Sequence, residues 1–104
     1  GMQIYAKNKD LIVRGDVNYG SEVIADGSIY VYGALNGKAI ASASGDLSSH
    51  VISLSFNPEL LAIAGIYVLH ENISPSTLGG CVRSYLDEGK IQFMSLSSTS
   101  RVNI

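Results

Sequence analysis

The sequence predicts an all-β fold: a short triangular parallel β-helix of about three to four coils, closed by a C-terminal hairpin. Two patterns carry that prediction. A step of six residues places Leu11, Val17, Val23, Ile29, Leu35, Ala41 and Leu47 in one series, all apolar. Two positions on, Val13, Tyr19, Ala25, Val31, Gly37 and Ala43 are mostly apolar or small, and two further, Gly15, Ser21, Gly27, Gly33, Ala39 and Gly45 are all small.

Alternation across the first half of each hexad describes a short strand with one face buried, because successive side chains of a strand point to opposite sides. The small residue that follows marks a bend, where the inside of the corner is crowded and the backbone angles favour glycine. Three such sides make a coil of eighteen residues, which sets Leu11-Ile12-Val13-Arg14-Gly15 beside Ile29-Tyr30-Val31-Tyr32-Gly33. Stacked coils then form parallel sheets. An antiparallel sandwich with regular strand spacing is the alternative for the same alternation, but strands of about three residues between such close bends are short for it. Handedness is left open by the pattern. Composition agrees with strands and tight turns, since the apolar share is carried by Ile, Val, Leu and Ala, with 11 Gly and no Trp.

Past Leu47 the six-residue step breaks. Val51 to Phe56 still alternates as a strand, Asn57-Pro58-Glu59 reads as a corner, and Leu61-Ala62-Ile63-Ala64-Gly65 repeats the apolar run ending in glycine. One irregular coil and a partial fourth are expected there, with a single helical turn opening at Asn57-Pro58 as the alternative. Residues 73–80 form a connecting loop. Val82 to Leu86 and Ile91 to Leu96 flank Asp87-Glu88-Gly89-Lys90, a hairpin signature, and this hairpin is expected to cover an open end of the helix. A chain of 104 residues has room for one domain, expected over 3–96 with 97–104 as a tail. Gly1, ahead of Met2, reads as an addition to the natural chain and stays outside the pattern.

A net charge of −2 with scattered Lys and Arg gives no general attraction to nucleic acid or anionic lipid. The single cysteine, Cys81, has no partner for an internal disulfide, and no Cys and His cluster is spaced to hold a metal. No apolar run reaches the roughly 20 residues that span a bilayer, and the N-terminus lacks a signal-peptide pattern. A soluble chain in a reducing cytoplasm is expected. His50 and His70 stand at no recognisable spacing from a carboxylate, serine or cysteine, and both read as surface histidines. The carboxylates are dispersed, Glu22 and Asp26 included, so no glycosidase-type pair forms, and Gly79-Gly80 lacks the lysine and helix of a phosphate loop. No enzymatic activity and no cofactor are expected.

The outward positions are more informative. The hexad register turns Ile12, Arg14, Tyr30 and Tyr32 outward on one face, Asn18, Gly20, Asn36 and Lys38 on a second, and Ile24, Asp26, Ser42 and Ser44 on a third. Aromatic residues beside arginine are the types enriched at interface cores. The face of Ile12, Arg14, Tyr30 and Tyr32 is therefore expected to be a self-association surface.

The run Asp10-Leu11-Ile12-Val13, the run Glu22-Val23-Ile24-Ala25-Asp26-Gly27-Ser28-Ile29-Tyr30-Val31-Tyr32-Gly33 and the run Gly37-Lys38-Ala39-Ile40-Ala41-Ser42-Ala43-Ser44-Gly45-Asp46 closely resemble the C-terminal domain of the MinC family of septum-site determining proteins. The resemblance extends through Ile63-Ala64-Gly65-Ile66-Tyr67 to the final hairpin and so covers nearly the whole chain. It implies a right-handed triangular β-helix that forms a homodimer, binds the membrane-associated ATPase MinD, and helps hold a division inhibitor against FtsZ polymers. On that resemblance the protein is cytoplasmic and reaches the inner membrane surface through MinD, without inserting into it. Lys38 stands where the family usually has an arginine associated with the acidic tail of FtsZ; lysine keeps the charge but not the forked geometry. The family's Arg-Ser-Gly-Gln segment, associated with MinD, would lie immediately before Gln3-Ile4-Tyr5-Ala6 and does not stand in this sequence, a departure from the family pattern; on the resemblance, Ile4 and Tyr5 are expected at the MinD-binding edge. The family's N-terminal inhibitory domain is likewise outside the sequence. Two rivals share the coil geometry: a bactofilin-like polymerising scaffold, and a fragment of a hexapeptide-repeat acyltransferase, whose coils follow a different order of apolar and small residues.

Overall fold

The structure, a computed structural model, describes residues 1–96; the expected tail at 97–104 lies outside them. Its strands, in chain order, are β1 (Gln3–Ala6), β2 (Leu11–Val13), β3 (Glu22–Ala25), β4 (Ile29–Leu35), β5 (Lys38–Ala41), β6 (His50–Phe56), β7 (Leu60–Ile63), β8 (Ile66–Leu69), β9 (Val82–Asp87) and β10 (Lys90–Ser95). A 3₁₀ turn at His70–Asn72 is the only helical element among the described residues.

The chain visits two walls in alternation, and each wall is a five-stranded sheet. One runs β1-β3-β5-β7-β8 and the other β10-β9-β6-β4-β2. Because each visit comes one coil later, β1, β3, β5 and β7 are mutually parallel, as are β2, β4 and β6. The third wall is narrow: Val17 bridges Leu35, and the second halves of β4 and β6 pair at Ala34↔Ser55 and Leu35↔Phe56. The result is the expected β-helix, about three turns of stacked coils. Inside the column Ile29, Val31, Leu35, Val51, Phe56, Leu61 and Ile63 are at most 1% exposed. Each such side chain contributes about 1.5–3 kcal/mol of gross burial.

Corners are where stacked coils come closest. A Cβ on Gly33 would fall inside contact distance of the Gly15 carbonyl oxygen and 2.5 Å from Asp16 Oδ1; one on Gly37 would fall against the carbonyl oxygens of Ser21 and Asn18. Glycine is thus required by close approach of backbone to backbone. Side-chain bonds then tie one coil to the next at the same corners, Asp10 Oδ1 accepting the Ser28 N–H at 2.8 Å and Asp16 Oδ1 the Ala34 N–H at 2.7 Å.

The repeat is not strictly eighteen residues all round. Leu11 sits beside Ile29 and Val17 beside Leu35 as expected, but Val23 sits beside Ala39 rather than Ala41. The cause is corner length. After Leu35 the chain turns tightly through Asn36 and Gly37, whose N–H groups both donate to the Val17 carbonyl, whereas the coil below takes the wider path Asn18 to Ser21. Tyr19, expected inward, rides on that wider corner at 80% exposure. Ala43 and Leu47, also expected inward, belong to an exposed loop between β5 and β6, with Leu47 69% exposed. Ser42, expected outward, is 1% exposed and takes a left-handed φ of 54° that turns the chain into this loop.

The C-terminal part departs from the coil pattern. No helical turn opens at Asn57; its N–H donates to the Leu35 carbonyl and that of Glu59 to Gly37, which makes a corner. β7 completes its wall, and Ala64 and Gly65, both at positive φ, send β8 back antiparallel. Glu88 and Gly89 do the same between β9 and β10, the paired left-handed residues that two-residue hairpins prefer. The hairpin does more than cap: β9 pairs antiparallel with β6 and widens that wall. Its inner side chains do close the end, with the Phe93 ring 5.5 Å from Phe56 and Val82 2% exposed. At the other end Ile4 is 39% exposed and Leu11 and Val13 are half-buried.

Gly33→Ala is expected to cost about 1–3 kcal/mol by urea unfolding. Gly80→Ala, where an added Cβ meets nothing within 4 Å, is expected to stay within about 0.5 kcal/mol. Equal costs at the two positions would show that corner crowding is not what Gly33 relieves.

Candidate interaction surfaces

In parallel sheets the residues of one ladder rung share a face, so the register aligns outward side chains from every strand into rows. On the wall containing β2, β4, β6, β9 and β10, one rung carries Ile12, Tyr30, Ile52, Arg83 and Met94. Ile12 is 57% exposed and Met94 44%, with Tyr32 and Leu54 of the same wall also more than half exposed. Among the expected self-association residues, Ile12 and Tyr30 are ladder neighbours. Arg14 and Tyr32 are both exposed but lie past Val13↔Val31, the last pair of the β2–β4 ladder.

A second rung of this wall opposes His50 and Tyr85. His50 joins the rungs: its Nε2 lies 3.1 Å from the Tyr30 hydroxyl, and Arg83 Nε donates to its Nδ1 at 3.2 Å. The Tyr30 ring meets the imidazole edge to face at 5.4 Å, and the Arg83 guanidinium lies 4.4 Å from the centre of the Tyr85 ring. Burial first, then the Arg83 cation, hold the His50 imidazole below its ordinary value, against the opposing pull of Asp10. Sequence reading missed Ile52, His50, Arg83, Tyr85 and Met94. The alternation in β6 and β9 was visible, but only long-range pairing shows that those strands join this wall.

The other wall carries the rung Tyr5, Ile24, Ile40, Ala62 and Tyr67, and beside it Gln3, Glu22, Lys38, Leu60 and Leu69. Lys38 is exposed, with its backbone fixed by a bond from its N–H to the Ser21 carbonyl and by Gly37 before it. The expected edge residues Ile4 and Tyr5 point to opposite sides of β1. Ile4 faces the column at its open end, in the rung of buried Val23, and Tyr5 faces outward at 53% exposure. The Tyr5 hydroxyl donates to Asp26 Oδ1 at 2.7 Å, and the Asn8 N–H donates to Asp26 Oδ2 at 2.6 Å. The Asn8 bond, with that of Tyr5 behind it, holds the Asp26 carboxyl below the usual carboxylate range, and the same tyrosine bond pushes the phenol up.

Asn36, expected outward with Lys38, sits instead at the corner beside it, in a hollow lined by Tyr19, Asn57, Glu59 and His70. Asn57 Oδ1 lies 2.9 Å from His70 Nε2 and Asn57 Nδ2 donates to Asn36 Oδ1 at 3.4 Å, while Glu59 Oε2 accepts the Gly20 N–H of the neighbouring corner at 2.7 Å. Among the described residues no three His, Cys, Asp or Glu side chains gather as metal ligands, and no helix is long and apolar enough to cross a membrane.

A family model described as the septum formation inhibitor MinC, C-terminal domain, matches residues 1–96. Curated relatives include the probable septum site-determining protein MinC of Shewanella woodyi, 56% identical over 85 residues, and that of Shewanella oneidensis, 54% identical. Each alignment covers 80% of this chain and 38% of the relative, so the chain spans well under half of the length of the proteins it matches. Among solved structures, a chain of the MinC:MinD cell division protein complex of Aquifex aeolicus superposes with a TM-score of 0.82 at 30% identity, covering 92% of this chain and 77% of that one. The sequence match along 1–96 and the shared stack of coils agree: this chain belongs to the family of MinC C-terminal domains.

Proposed function

We propose that this chain is the dimerising, MinD-binding domain of a septum-site regulator, which carries a division inhibitor to the cytoplasmic face of the membrane and to FtsZ polymers. The observation that carries this reading is the likeness, over nearly the whole chain, to a chain of a solved MinC:MinD cell division protein complex. Three surfaces are available for the three contacts. The row Ile12, Tyr30, Ile52 and Met94 offers apolar area for a second copy, with Arg14 and Tyr32 at its margin. The edge strand β1, with Tyr5 outward and Ile4 at the open end, offers unpaired backbone and an aromatic side chain to MinD. Lys38 offers a single cation to an acidic FtsZ tail. A bactofilin-like scaffold fits less well, because β8 turns back against β7 and ends that wall on a strand that runs opposite to the coils, which interrupts coil-on-coil stacking there.

In vesicle pelleting, the chain extended upstream of residue 1 is expected to sediment with MinD and ATP and not with vesicles alone, and Tyr5→Ala to reduce the pelleted fraction. An acidic FtsZ tail peptide is expected to join the pellet, and to be lost with Lys38→Glu. Absence of the extended chain from the MinD pellet rejects MinD binding, and an unchanged peptide signal rejects the role of Lys38. For self-association, Tyr30→Glu is expected to halve the mass measured by light scattering; an unchanged mass removes this face from the interface.

A further inference from the structure

We propose that His50 makes self-association of this chain pH-gated, the face accepting a second copy while the imidazole is neutral and releasing it when the ring is protonated. The inference rests on the self-association reading above and names its regulation. It starts from hydrogen-bond chemistry. Arginine Nε is always a donor, so the 3.2 Å contact from Arg83 requires His50 Nδ1 to be a bare acceptor. The ring proton of the neutral form then sits on Nε2, 3.1 Å from the Tyr30 hydroxyl. A second proton can go only to Nδ1, where it meets the Arg83 N–H head on. The hydrogen bond is lost and two cations face each other.

The surroundings add little to relieve that clash. From β4, Tyr30 presents its hydroxyl and ring edge; from β9, Arg83 presents its cation and Tyr85 its ring, over which the guanidinium lies; the backbone N–H of His50 itself donates to Ser28 Oγ. Only Asp10, in the turn before β2, favours the charged ring, and burial and Arg83 outweigh it. The neutral arrangement is therefore at full strength above the ordinary histidine value of about 6.5, and is lost as pH falls through the lower value of the folded chain.

Arg83 sits in the row between Ile52 and Met94. Protonation of His50 adds a second positive charge beside the one Arg83 already holds in that row, and frees the guanidinium that the neutral ring anchored. In a two-fold dimer the same patch occurs on both copies, so the added charge enters the interface twice, where water is excluded.

Sedimentation equilibrium of the 104-residue chain at pH 7.5 and 5.5, at constant ionic strength and with folding checked by circular dichroism, tests the proposal. The dimer dissociation constant is expected to rise at least about fivefold at pH 5.5. His50→Gln, which keeps an acceptor for Arg83 but does not titrate, is expected to show the same constant at both pH values, whatever its strength. Arg83→Met, which removes the opposing cation, is expected to shrink the ratio. A wild-type dimer of equal strength at both pH values, or equal ratios in wild type and His50→Gln, overturns the switch and leaves the dimer standing. A wild-type monomer at both pH values overturns the self-association reading and the switch with it.

Discussion

The architecture depends on how closely the backbone of one coil can approach the next at the corners. At Gly33 and Gly37 the space that a Cβ would occupy is filled by carbonyl oxygens of the coil below. That approach sets the height of each step, and the step height brings Ile29, Val31 and Leu35 into rungs with the coils above and below. Aspartates one coil earlier, Asp10 and Asp16, then satisfy backbone N–H groups that the bends leave out of the sheets. The apolar core supplies the driving force, and the corners decide which residues it can use.

Corner chemistry also governs the surface. Removing two residues from the corner at Asn36-Gly37 shifts β5 against β3, so that Ile24 neighbours Ile40 rather than Ser42. The outward face of that wall becomes an apolar rung flanked by Tyr5 and Tyr67, and Ser42 is drawn inside. On the opposite wall the longer passage through residues 42–49 absorbs extra length without disturbing the pairing of Tyr30 with Ile52. Loops of different length are thus tolerated at one corner while rungs stay in line, as expected where insertions map to the outside of a solenoid.

This explains what could be read in advance. Between Leu11 and Leu35 the period is regular, and the fold, the rung of Leu11 with Ile29 and the outward pairing of Ile12 with Tyr30 were all legible from alternation and spacing. Tyr19, Ser42 and Leu47 were misplaced because corner lengths depend on N–H to carbonyl bonds between coils, which composition does not encode. For the surface, half of the row was legible. Ile52, Arg83 and Met94 join it only through the antiparallel docking of β9 on β6, a contact between segments that no local period connects. The histidine between the two rungs carries no motif at all, and its chemistry exists only once Tyr30 and Arg83 are brought to it.

The corners impose the register of both walls, and that register can be read directly in solution. Inter-strand nuclear Overhauser effects in the isotope-labelled chain should place the backbone protons of Val23 beside those of Ala39 and the backbone protons of Tyr30 beside those of Ile52. Cross-peaks joining Val23 to Ala41 instead would mean that a uniform eighteen-residue coil holds throughout, and that neither outer wall presents the rows described.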